Sequence, residues 1–221
     1  MAKLLKNNGL LLVNLALFLV FLVGMTITGW HTNNDELINH GQAALSLPAY
    51  LGSGSYGEAI FENWESEFLQ MGMYVVLTVF LFQKGSSESK PLSGDAPQDA
   101  DPRTQPKHPS TPWPVRRGGW VLVLYENSLS IMFFILFAAS ITLHAVTGAA
   151  AYSEEQALHG LPGATPLEYV GTSQFWFESL QNWQSEFLAV AAIVIGSVYF
   201  RQQGSQESKP VAAPHSKTGA E

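Results

Sequence analysis

Asn63-Trp64-Glu65-Ser66-Glu67-Phe68-Leu69 decides the reading of this chain, because it returns as Asn182-Trp183-Gln184-Ser185-Glu186-Phe187-Leu188. Each copy runs into an apolar stretch, 68–82 and 187–200. The offset of 119 residues holds without a gap well beyond the motif, pairing Gly29 with Gly148, Glu36 with Glu155 and His40-Gly41 with His159-Gly160. It also pairs Tyr50 with Tyr169, and Glu88-Ser89-Lys90-Pro91 with Glu207-Ser208-Lys209-Pro210. Over 8–91 against 127–210, roughly 30% of positions are identical, which marks one unit used twice.

Composition narrows the class. Hydrophobic residues make up 47% of the 221 and charged residues only 13%, with the apolar residues gathered in four blocks. That pattern points to an integral membrane protein with polar tails. The chain has no cysteine, which excludes disulfides and thiolate metal sites. No basic stripe offers itself to nucleic acid. Phosphate loops, His-Glu-x-x-His pairs and serine elbows are absent, so no enzyme and no cofactor is expected.

The order of the blocks gives an all-α fold of four transmembrane helices in two parallel two-helix repeats. The first repeat covers 1–83, with spans at about 9–28 and 61–83 and an outer loop at 30–57. The second covers 118–203, with spans at about 127–147 and 178–201 and an outer loop at 148–174. The first span is read as retained rather than as a cleaved signal, because its counterpart lies in mid-chain. Residues 84–117 hold seven of the twelve prolines and read as a disordered cytoplasmic linker, and 204–221 as a disordered tail. All eleven Lys and Arg lie in the N-terminus, the linker or the C-terminal segment. The termini and linker are therefore expected in the cytoplasm and the loops outside.

Local signals add detail. Asn33–Gly41 reads as a short loop helix with Asn at its start and Gly at its end, and 153–160 repeats the punctuation. Ser55 with Glu58 has capping-box spacing, so a helix is expected to start near Tyr56, and Thr172 or Ser173 caps its counterpart. Asn14 is read as an interhelical hydrogen bond, Ala192 with Gly196 as a close-packing pair, and Glu126 as a charge at the start of the third span. His31 and His144 have no counterpart at the offset and are read as local.

Two groups are candidates for chemistry. Fifteen apolar residues span only about 22 Å, so the second span must borrow from the motif to cross roughly 30 Å. Borrowing puts Glu67, and by symmetry Glu186, inside the outer boundary, with Asn63 and Asn182 on the same faces and Trp64 and Trp183 as interfacial anchors. Ion or proton handling by these glutamates stands beside a structural role, in which they serve the helix dipole and interhelical hydrogen bonds. Glu36 with His40 and Glu155 with His159 are spaced i, i+4. They would suit a divalent ion if the symmetry brings them together, although helix capping explains the same residues.

The duplicated motif and the Gly-Ser-x-Glu-Ser-Lys-Pro segments after the second and fourth spans resemble a family of bacterial membrane proteins, the domain of unknown function 6766. The resemblance implies a multi-pass protein of the bacterial cytoplasmic membrane and supplies no activity or ligand. The expected function is a non-enzymatic structural or interaction role, with the lipid bilayer and a homodimer or membrane-protein partner as neighbours. Ion or proton transport and outer-surface metal binding are the alternatives.

Overall fold

A computed structural model describes residues 2–94 and 96–219, with side chains from residue 6 onward. The final two residues of the expected tail, together with Met1 and Asp95, lie outside the described residues. The chain is helical and contains no strand among the described residues. Among the described residues, four helices are long: α1 (Ala2–Asn39), α3 (Gly54–Phe80), α6 (Ser128–Leu158) and α8 (Ser173–Tyr199). Between them lie the short α2 (Leu47–Leu51), α4 (Trp113–Arg117), α5 (Gly119–Glu126) and α7 (Pro166–Val170). Among the described residues, two helices are long and apolar enough to cross a membrane, α1 from Lys6 and α6. The expected second and fourth spans form α3 and α8 but do not meet that requirement, because the first half of each carries the polar motif.

The chain divides into two units, Met1–Glu62 with Thr142–Trp176, and Asn63–Ile141 with Phe177–Glu221.

In the first unit, α1 is longer than expected. The loop helix is its continuation, since neither Pro nor a left-handed Gly interrupts 9–39. Thr26, Thr28 and Thr32 satisfy their hydroxyls on carbonyls four residues back, at 2.8, 2.9 and 3.1 Å. Asn14 does the same, donating to the Leu10 carbonyl at 2.8 Å, so it makes this local bond where an interhelical one was expected. Both α1 and α6 end in the same way. Gly41 and Gly160 adopt φ of 73° and 69°. The following N–H groups of Gln42 and Leu161 reach back to Leu37 and Gln156 at 2.8 and 2.9 Å. These are Schellman closures, for which glycine carries no Cβ penalty.

Matched positions then fasten each loop. Asn34 bridges both backbone groups of Leu45, accepting at 2.7 Å and donating at 3.0 Å. Ser153, 119 residues on, bridges both backbone groups of Ala164 at 3.0 and 3.2 Å. A serine is shorter than an asparagine, so the second loop must come nearer. It does so at Gly163, where a Cβ would run into Ser153; Ala44 occupies that position in the first copy. Tyr50 packs in a notch at Gly29 and Tyr169 in a notch at Gly148, both tyrosines buried. Ser53 and Thr172 start the next helices, accepting from the N–H groups of Tyr56 and Phe175 at 3.2 and 3.3 Å. The cap of α3 is thus Ser53 and not Ser55.

In the second unit, each long helix ends in a hook. Ser89 accepts from the Gln83 N–H and Ser208 from the Gln202 N–H, both at 3.0 Å. Gly85 and Gly204 supply φ of 87° and 82° for the reversal. Residues 84–117 contain no element longer than five residues among those described. Ion pairs hold parts of that stretch, Lys90–Asp99 at 2.7 Å and Arg103 with both carboxylate oxygens of Glu126 at 2.7 and 3.0 Å. Glu126 therefore ends α5 as an ion-pair partner and does not open the third span. Residues 204–219 form no helix, but Gly219 donates to the Ser86 carbonyl and the Gly85 N–H donates to Thr218, both at 2.9 Å. At Gly196 a Cβ would meet only Phe200 of the same stretch, so the expected close packing is not found there.

Candidate functional site

The motif places its side chains on α3 and α8 within the second unit. Helical rotation turns Glu65 and Ser66 inward, leaving them 0% and 2% exposed, while Asn63 and Glu67 face outward. The Trp183 indole N–H donates to Glu65 Oε1 at 3.2 Å, and its ring stands edge-on to Phe137 with centroids 6.1 Å apart. Trp183 therefore points into its unit as a hydrogen-bond donor. Gln70 donates to the Glu186 carbonyl at 3.3 Å. Gly72 admits Phe133 and Phe134 closely, since a Cβ there would meet both at 3.3 Å. Glu186 and Asn182 are half-buried, and the Asn182 amide nitrogen is buried with no hydrogen-bond partner among the described residues. Trp64 is half-buried.

Sequence reasoning missed Glu65. It weighted the residues common to both copies, and Glu65 faces Gln184 at the offset. The available signal was Gly72, two turns further along the same face, where a glycine in an apolar helix marks close approach.

The first unit holds a second polar centre. His144, in mid-α6, is 0% exposed and stacks on Phe175 with centroids 4.9 Å apart. It also stands edge-on to Tyr169 at 6.3 Å. Tyr169 donates its hydroxyl to Glu58 Oε1 at 3.1 Å. A carboxylate oxygen of Glu58 and a ring nitrogen of His144 lie within 4.8 Å of each other. A carboxylate beside an imidazole in an aromatic pocket is suited to holding a proton or a cation. The offset does not repeat this centre, because Glu58 corresponds to Phe177 and His144 to Met25.

The sequence model of one family, described as a domain of unknown function (DUF6766), matches residues 1–220. The chain belongs to that family. No curated protein and no solved structure matches this family member.

The remaining candidates lie on the ends of α1 and α6. Glu36, His40, Glu155 and His159 of this family member are all exposed. The two imidazoles meet edge to face, with centroids 5.8 Å apart. His40 Nδ1 lies 3.0 Å from the Glu36 carbonyl. Glu36 thus supplies a backbone oxygen to this arrangement, and neither glutamate joins the rings in a three-residue ligand cluster among the described residues.

Proposed function

We propose that this is a non-enzymatic membrane protein of four spans in two parallel repeats, whose duplicated motif acts as an interhelical clamp. The observation that carries the reading is the buried Glu65 carboxylate, which accepts from Trp183 in the middle of a helix. A carboxylate there is costly unless paired, and within a bilayer its hydrogen bonds tie helices together. Lipid as the surrounding solvent is supported by α1, where Leu10, Val20 and Phe21 are 83%, 64% and 69% exposed. The doubled geometry supports the repeat, since loop bridge, tyrosine notch, helix cap and hook all recur 119 residues apart.

The absence of cysteine makes the topology test clean. Single cysteines at Gln42 and Gln156 are expected to label with an impermeant maleimide in intact cells, and cysteines at Ser93 and Ser205 only after lysis. Labelling of all four in intact cells, or of none, would overturn the four-span arrangement. A second reading, ion or proton handling, is favoured by the half-buried Glu186 beside Asn182, whose buried amide nitrogen has no hydrogen-bond partner among the described residues. Proton and cation flux in proteoliposomes that disappears in a folded Glu67→Gln/Glu186→Gln variant would establish it. Absence of flux in the wild type leaves the clamp.

A further inference from the structure

We infer that His40 and His159 form a binding site for a divalent transition-metal ion. The inference goes beyond the clamp, which lies in the second unit, and concerns the first unit. Several observations converge on it. The imidazoles come from residues 119 positions apart and lie with ring centroids 5.8 Å apart, a separation that two ligands of one ion can close by small side-chain rotations. His40 Nδ1 faces the Glu36 carbonyl at 3.0 Å. A carbonyl only accepts, so Nδ1 carries a proton, and in the neutral ring Nε2 then keeps its lone pair. That arrangement, N–H on a backbone carbonyl and the other nitrogen free, is how metal-binding histidines are oriented.

The field has the right sign as well. Both residues sit where long helices finish, and a helix C-terminus carries partial negative charge. Glu36 and Glu155, one turn earlier, add two carboxylates, and neither loop from 30 to 57 or 148 to 174 contains a Lys or Arg. Imidazole nitrogens select zinc, copper or nickel over magnesium or calcium. Both rings are exposed, so the ion needs no opening of the fold. Two protein ligands leave coordination positions for water.

The test uses the full chain in detergent without a polyhistidine tag, titrated calorimetrically with Zn2+ at neutral pH. One saturable ion per chain is expected, weakened at least about tenfold by His40→Asn and by His159→Asn. His31→Asn and His108→Asn should bind as the wild type does. Cu2+ electron paramagnetic resonance should show two nitrogen ligands, falling to one in either variant. Absence of saturable uptake by the wild type, or unchanged binding in both folded variants, would overturn the site and leave the two rings as an edge-to-face contact.

Discussion

The indole N–H of Trp183 donates to a carboxylate, Glu65, that has no exposed surface. Replacing Trp183 with Phe removes one donor from a buried charge and should cost about 1–3 kcal/mol. Glu65→Gln keeps the acceptor and drops the charge, so it should cost less. Thermal unfolding in detergent ranks the two. The reverse order would show that Glu65 is held by its charge rather than by this bond.

The tyrosine notches reverse an ordinary rule. Gly→Ala inside a helix usually stabilises by about 1 kcal/mol. Gly24→Ala should follow the rule, since nothing lies within 4 Å of its added Cβ. Gly29→Ala should destabilise, because the methyl meets the Tyr50 hydroxyl, and Tyr50→Phe should rescue it. At Gly148 the methyl also meets the Tyr169 ring, at 2.6 Å, so Tyr169→Phe should not rescue Gly148→Ala. Melting temperatures of the single and double variants decide both cases.

The hooks differ in their lysines. Lys209 is 1% exposed and donates to the carbonyls of Pro214, His215 and Lys217 at 3.3, 3.1 and 2.9 Å. Burial pulls its ammonium below the usual lysine range, and Arg201 adds to the effect. Lys90 pairs with the exposed Asp99, a contact worth about 0–1 kcal/mol, and its ammonium lies 5.8 Å from the Phe82 ring centroid. Lys209→Ala should therefore speed amide exchange across 210–219, and Lys90→Ala should leave exchange around 96–100 nearly unchanged.

Acid should loosen α7. Glu168 accepts from the Thr165 N–H at 2.8 Å, while Thr165 caps the helix in return at 3.3 Å. The Thr165 N–H and hydroxyl hold the Glu168 carboxyl below its ordinary value of 4.5. A depressed folded value means the contribution is fully present above 4.5 and is lost as pH falls through the folded value. Exchange protection at 166–170 should fall in acid in the wild type and stay flat in Glu168→Gln. Thr165→Ala should cost about 1 kcal/mol at neutral pH.

Much of this architecture was legible in the residues. The glycines at 41 and 160 announced the helix ends, and the 119-residue offset anticipated paired features that contact maps alone would leave unconnected. The break expected between the first span and the loop helix did not occur, because Trp30-His31-Thr32 contains nothing that stops a helix. Shared identity between the copies pointed to Glu67 and Glu186, while packing turned Glu65, which only the first copy carries, inward. His144 reads as local in the sequence, and the centre it forms could not be seen there for a related reason. Its setting is made by Tyr169, Phe175 and Glu58, which are distant in sequence and come together only on folding.

The two loop bridges have a historical consequence. Asn34 beside Ala44 and Ser153 beside Gly163 are two solutions to one distance, and the second requires the glycine, since a Cβ at 163 would run into Ser153. Alanine at 163 alone drives a methyl into Ser153, and lengthening Ser153 alone overfills the narrower gap. A half-step back therefore passes through a worse protein. After the copies diverged, this pair would have acted as a latch on their separation, so that parts once identical are no longer interchangeable.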